Sequence, residues 1–323
     1  MNRKIKWGII GLGKIANKFA ADLQLSESAE LYAVASRSQE KANEFAHQYN
    51  AKIAYNFYEK LAKDPNVDVV YIATPHVFHY QNTLMCLKNG KHVLCEKPMG
   101  MNQDQVKEMM ALAKEKGLFL MEGIWTRFHP AIQKVLELIH SKSIGDIIHL
   151  KADFGFLADY NPQKRLFNKK LGGGSLLDIG LYPVYLSLLL LGKPIKIDAK
   201  ARFTQTGVDD FCTINFEYGN RVHSALESTL AMQTPTEANI HGTKGSIKIH
   251  SRFHESTKVA LYKSGEATIY DFNMKGNGYY YEIEEVNQCL NAAALESKKL
   301  PLSISLALAQ TLDLIREKIG LEY

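Results

Sequence analysis

Six residues near the start of the chain, Gly11-Leu12-Gly13-Lys14-Ile15-Ala16, restrict what it can fold into more than any other segment. They follow an apolar run, Ile5 to Ile10, and open a stretch, Lys14 to Leu23, whose apolar residues recur at helical spacing. With a strand before it and a helix after it, G-x-G-x-x-G/A carries a physical meaning. Gly11 permits a tight turn, Gly13 lets the backbone approach a pyrophosphate, and Ala16 keeps helix against strand. The unpaired N–H groups of the first helical turn then face the anion. The reading is a dinucleotide site; its competitor is a strand-to-helix turn that binds nothing.

The first third of the chain repeats this alternation. Glu30 to Ser36 is expected as a strand and Ser38 to Tyr49 as a helix, with further apolar runs at Asp68 to Ala73 and His92 to Cys95. A helix between those two runs stops at Asn89-Gly90, and Asn102 caps another that ends at Gly117 before a strand at Leu118 to Met121. Strands that are nearly all apolar and alternate with helices describe a parallel sheet covered on both faces. The expected first domain, residues 1–123, is therefore a doubly wound Rossmann α/β domain. Beyond it the runs lengthen and alternate: Ile147 to Phe156, Ile197 to Gln205, Phe211 to Tyr218, Val222 to Thr229, Ala238 to Ile249 and Val259 to Tyr262. Turn signals at Tyr218-Gly219-Asn220 and Gly242-Thr243-Lys244-Gly245 mark hairpins. They predict a second α/β domain, 124–323, with an open, largely antiparallel sheet. Helices at Tyr280 to Leu295 and Ser305 to Ile319 close the chain, the last able to pack on either domain.

Composition is consistent with this. A chain of 323 residues, 46% hydrophobic and 23% charged, is long and apolar enough for two globular cores. Its net charge of +5 is spread among interspersed acids and bases, which suits small anionic ligands and not nucleic acid. Cys86, Cys95, Cys212 and Cys289 form no C-x-x-C and lack a histidine at ligand spacing, so they read as reduced, mostly buried thiols without a metal. Met1 to Lys6 is basic, but the following apolar stretch is cut at Gly11 and Gly13 with no cleavage site, and the longest apolar run, Leu181 to Leu191, is short for a bilayer. The expectation is a soluble, cytoplasmic protein without a membrane partner.

The tip of the second strand bears on the choice of cofactor. An acidic residue there, roughly 20 residues after the glycines, would bind a free ribose 2′-OH; here the tip reads Ala35-Ser36-Arg37-Ser38, with Lys41 one turn on. Two hydroxyls, a guanidinium and an ammonium suit a 2′-phosphate, so NADP is expected, with NAD possible. Ligands in such sheets lie beyond the carboxyl ends of the strands. Ala73-Thr74-Pro75-His76 with His79, and Glu96-Lys97-Pro98, fall there. A lysine beside a cofactor cleft can orient a hydroxyl or stabilise an alkoxide, although Glu96-Lys97 also reads as a surface ion pair and the histidines as helix-start residues. In the second domain, Gly172-Gly173-Gly174 leads to a helix that sets Asp178 and Tyr182 four residues apart, on one face. That pairing suits either a substrate site or a core tyrosine bonded to the carboxylate.

Taken in order, Gly11-x-Gly13-x-x-Ala16, Thr74-Pro75, His79, Glu96-Lys97-Pro98 and Asp178-x-Gly180-x-Tyr182 resemble the glucose-fructose oxidoreductase, inositol dehydrogenase and rhizopine-catabolism (Gfo/Idh/MocA) family over essentially the whole chain. Glu122-Gly123-Ile124-Trp125-Thr126-Arg127-Phe128 and Arg165 to Pro183 look like its dimeric dihydrodiol dehydrogenase, or NADP-dependent D-xylose dehydrogenase, branch. His129 and Lys169-Lys170 depart from that branch. The resemblance implies that Lys97 lies beside the nicotinamide and that Asp178 and Tyr182 close the substrate pocket. It also implies that the exposed sheet face makes a homodimer or higher oligomer.

On this reading the chain is an NAD(P)-dependent dehydrogenase acting on a secondary alcohol of a sugar, polyol or cyclic diol. Lys97, Tyr182 and Asp178 are the expected catalytic set. Gly11, Gly13, Lys14, Ile15, Ala16, Ser36, Arg37, Ser38, Lys41, Ala73, Thr74, His76, His79, Glu96, Lys97, Trp125 and Arg127 form the expected cofactor set, and Trp125, Phe154, Asp178 and Tyr182 the substrate set. The alternatives are a non-catalytic NADP-binding regulator and a redox-assisted elimination at a glycoside.

Overall fold

A computed structural model describes residues 3–323, so Met1 and Asn2, from the basic start of the chain, lie outside the described residues. The chain divides into two units. The first runs to Phe128 and takes back Met274–Leu306; the second is His129–Asn273 with Ala307–Tyr323. The boundary expected at residue 123 thus falls at Phe128, and residues 274–306, expected in the second domain, belong to the first.

In the first unit, β1 (Ile5–Ile10), α1 (Lys14–Leu23), β2 (Ala29–Ala35), α2 (Gln39–Tyr49), β3 (Ile53–Tyr55), α3 (Tyr58–Lys63), β4 (Val69–Ile72), α4 (His79–Lys88), β5 (His92–Glu96), α5 (Gln103–Lys116) and β6 (Leu120–Gly123) alternate as expected. The strands form one parallel sheet, ordered β3-β2-β1-β4-β5-β6. Chain order reverses between β1 and β4, the topological switch point where such sheets take ligands. All four residues of β4 are buried, as a central parallel strand covered on both faces requires. Two elements were not expected. β3, at the edge, has only three residues, Ile53–Tyr55, too few to stand out as an apolar run; α3 has only six residues.

The second unit contains α6 (Pro130–His140), β7 (Ile147–Gly155), α7 (Leu181–Leu191), β8 (Lys196–Phe203), β9 (Asp209–Glu217), β10 (His223–Thr229), β11 (Ala238–Gly242), β12 (Gly245–Ile249), β13 (Lys258–Lys263) and β14 (Glu266–Asp271). Its eight-stranded sheet is ordered β14-β13-β12-β11-β7-β10-β9-β8 and is antiparallel except for the β7–β10 pair. The alternation of β7 places Leu150, Ala152 and Phe154 in the core, with His149, Lys151 and Asp153 on the opposite face. A single π-helical turn, Leu176–Gly180, leads into α7 and packs on β10. The apolar stretch Lys169–Leu191 is longer than Leu181 to Leu191 alone, and its length and composition would allow a membrane crossing; residues 172–188 are all buried inside the protein, which accounts for its apolar character.

The first unit is closed by α8 (Tyr280–Asn291), while α9 (Leu302–Ile319) begins in the first unit and continues in the second. α8 returns to the first unit because its start is capped from outside: the buried Asp22 carboxylate accepts from the backbone N–H groups of Asn277 (2.7 Å) and Tyr280 (3.1 Å). The Trp7 indole N–H also donates to Asn287 Oδ1 at 3.0 Å. Among the described residues all four cysteines are free; three are buried and Cys289 is half-buried.

Candidate active site

The expected cofactor residues lie along the carboxyl edge of the first sheet. At the end of β1, Gly11 adopts φ +86°, and a Cβ there would lie 2.6 Å from backbone atoms of Ala73 and Thr74, so the β1 and β4 loops can touch only with glycine present. Gly13 differs: a Cβ there would meet nothing within 4 Å. It precedes α1, whose N-terminus has no side-chain cap and no acidic residue in its first turn. Orphan N–H groups above an open glycine form an anion cradle, so these residues fit a dinucleotide pyrophosphate. Ala16 is buried against the sheet, while Lys14 and Ile15 are exposed at the rim.

At the end of β2, the Ser38 hydroxyl oxygen accepts from the Lys41 N–H and the Ser36 oxygen from the Ser38 N–H, both at 3.3 Å. Both hydroxyl hydrogens remain available to an outside acceptor. The Arg37 and Lys41 side chains are exposed and make no ion pair among the described residues. The tip is thus built of donors and cations without a carboxylate.

Ala73 and Thr74 follow β4, and His76 and His79 begin the next helical turns. His79 is only 1% exposed, and its two ring nitrogens lie 2.7 Å from the carbonyl oxygens of Pro98 and Thr74. With both nitrogens engaged, His79 ties the β4 loop to the Lys97 loop and presents the neighbouring backbone. Glu96 is turned inward: its carboxylate accepts a short hydrogen bond from the buried Tyr71 hydroxyl and, at 3.2 Å, the Lys97 backbone N–H. Burial, followed by the Glu96 charge, pushes the Tyr71 hydroxyl well above its ordinary pKa, so it stays a donor. Beneath this loop Glu122, on β6, accepts from the Met99 N–H at 2.8 Å. Trp125 stacks on Tyr279 with ring centroids 4.5 Å apart, and the Arg127 Nε donates to the Lys299 carbonyl at 2.7 Å.

The remaining residues gather in the second unit. Asp178 lies in the π-turn, not in an α-helix as expected, with Tyr182 in the first turn of α7. Gly180 between them allows the turn to rest on β10, since a Cβ would lie 2.7 Å from Ser228 Oγ. The turn begins on the buried Asp209, which accepts from the Ser175 hydroxyl (2.6 Å) and the Leu176 N–H (2.7 Å). The Asp178 carboxylate takes a bidentate grip from Arg165, at 2.8 and 3.2 Å. Tyr182 forms an aromatic cluster with Phe154 and His254: Phe154 stacks on His254 at 4.2 Å, and Tyr182 lies 5.1 Å from His254. Sequence reasoning missed both Arg165 and His254. Arg165 follows an irregular loop, and His254 sits in a short turn, Phe253–Glu255, that carries no motif.

A family model described as "Oxidoreductase family, NAD-binding Rossmann fold" matches residues 5–124, and a "GFO/IDH/MocA C-terminal domain" matches residues 132–248. The trans-1,2-dihydrobenzene-1,2-diol dehydrogenase of Mus musculus is 39% identical over 99% of this chain and 98% of its own, and that of Homo sapiens 38% over the same shares. Among solved structures, the aldose-aldose oxidoreductase of Caulobacter crescentus complexed with glycerol superposes with a TM-score of 0.90 at 23% identity, covering 98% of both chains. The 3-ketoreductase KijD10 of Actinomadura kijaniata, in complex with NADP and TDP-benzene, does so with a TM-score of 0.88 at 25% identity, again covering 98% of both. With both halves matched and relatives aligned end to end, this chain belongs to the Gfo/Idh/MocA family and is an oxidoreductase with an NAD(P)-binding Rossmann domain.

Proposed function

We propose that this enzyme transfers a hydride reversibly between NADP(H) and a secondary alcohol of a cyclic diol, sugar or polyol. The observation that carries the reading is the carboxyl edge of the first sheet, where an uncapped helix over an open glycine lies on the same edge as the Lys97 loop. The substrate class is supported by the dihydrodiol dehydrogenases that share end-to-end similarity with the chain. NADP is supported by the donors and cations at the tip of β2.

Bound NADP supplies the hydride acceptor. The Tyr182 phenol or the Lys97 amine takes the hydroxyl proton of the alcohol. Asp178, held by Arg165, orients the substrate hydroxyls, and Phe154 and His254 exclude water from that side. Trp125 and Arg127 serve the cofactor end. The open face of the second sheet pairs two copies of the chain.

A spectrophotometric screen of NADP and NAD reduction across diols, aldoses and inositols tests the reading. Lys97→Met and Tyr182→Phe should each lower kcat by about 10² or more with cofactor affinity little changed. Arg37→Ala should weaken NADP(H) by about tenfold and leave NAD(H) nearly unaffected. Wild-type turnover in Lys97→Met, or equal loss of both cofactors in Arg37→Ala, would overturn the corresponding assignment.

A further inference from the structure

Glu122 has no part in the mechanism above, yet its environment is unusual. It stands on β6 opposite Cys95 of β5, one position before the Glu96–Gly123 pair, directly under the loop that carries Lys97. Its side chain belongs to a residue only 2% exposed. Oε1 accepts from the Met99 N–H at 2.8 Å, while the buried Oε2 has no hydrogen-bonding neighbour beyond the Ser305 hydroxyl that faces the carboxyl. The loop is therefore held on both sides of Lys97, by Glu96 at the Lys97 N–H and by Glu122 at the Met99 N–H.

We infer that Glu122 is a positioning residue for Lys97: it fixes the loop through the Met99 N–H, and its carboxyl and the Lys97 amine sense each other's charge. The inference rests on the proposed role of Lys97. A carboxylate shut away from water with so few hydrogen bonds is costly, whereas a neutral carboxyl is tolerated. The groups that face it are Cys95 and Glu96 on β5, Lys97 in the loop and the Ser305 hydroxyl on α9. Burial pushes the carboxyl up to about 7 against the hydrogen bonds from Ser305 and Met99, which lower it; more weakly, the Glu96 charge adds to the rise and the Lys97 charge opposes it. Near neutral pH the carboxyl therefore exchanges between two charge states. Its ionised state favours the Lys97 ammonium, and by reciprocity the ammonium favours the carboxylate.

Infrared titration of the protein without added cofactor tests this directly, because a protonated carboxyl has its own C=O stretch. Across neutral pH the wild type should lose such a band with a midpoint near 7, and Glu122→Gln should lack it. Lys97→Met, which leaves the interior intact, should move that midpoint upward by roughly half a unit or more. In kinetics, Glu122→Gln should remove the inflection near neutral pH from the kcat/KM profile and leave the KM for NADPH unchanged. An unshifted midpoint in Lys97→Met, or a Glu122→Gln enzyme that keeps the inflection, overturns the inference. Should Glu122→Gln not fold, the Lys97→Met comparison decides. Should no substrate be turned over, the infrared result still stands apart from the failure of the proposed function.

Discussion

The chemistry assigned to Asp178 depends on a residue outside the expected site set. Arg165 grips both carboxylate oxygens, and the Asp178 side chain is only 11% exposed, so removing the guanidinium would leave a mostly buried charge without its bidentate partner. Arg165→Ala should lower kcat/KM by about tenfold to a hundredfold, whereas Arg165→Lys should recover part of the charge effect but not the fork geometry. Cofactor affinity should be unchanged in both, measured by NADPH fluorescence titration. Full activity in Arg165→Ala would show that Asp178 is held by other means. At this scale the sequence was legible where residues are close along the chain, as with Asp178 and Tyr182. It was silent about Arg165, thirteen positions from Asp178 across an irregular loop, because no periodicity links a loop residue to its partner. For Glu96 the competing reading was a surface pair with Lys97; its half-buried carboxylate also accepts from the buried Tyr71 hydroxyl, a partner that no local pattern indicates.

Among the elements, the start of α1 separates folding from binding. At Gly11 a methyl group would collide with backbone at 2.6 Å, so substitution there damages the fold together with the site. At Gly13 the backbone is extended, φ −94°, and a methyl group would meet nothing within 4 Å. Gly13→Ala should therefore melt within about a degree of the wild type and yet bind NADP(H) at least tenfold more weakly, because the methyl occupies space that a pyrophosphate needs. Calorimetric melting and a binding isotherm on one preparation check both halves; unchanged affinity would mean that the phosphates do not approach Gly13. The Rossmann elements could be read from the sequence because buried parallel strands must be nearly continuous apolar runs. The short edge strand β3 could not, and β14, exposed along most of its length, has no apolar face to reveal it. α8 was found as a helix but expected in the wrong unit. The Asp22 and Trp7 bonds that draw it to the first unit span more than 250 positions, beyond the reach of local pattern.

For the molecule as a whole, the proposed dimer can be argued from the register of the second sheet. Four neighbouring strands carry three rows on the face opposite the core. Glu217, His223, His149 and His241 align in one row; Asn215, Ala225, Lys151 and Asn239 in the next; Thr213, Glu227 and Asp153 in the third. Successive rows are two residues apart, about 6.6 Å along the strands. A two-fold axis through the middle row would set that row against itself and bring the histidine row of each copy toward the acidic row of the other. Ala225, the smallest residue of the middle row, is where the two backbones could approach most closely. Ala225→Arg should convert the dimer to a monomer in sedimentation velocity, with melting temperature and NADPH affinity close to wild type, since the side chain points away from the core. If wild type and variant sediment alike, the two copies do not meet through this face, and the polar rows are a solvated surface.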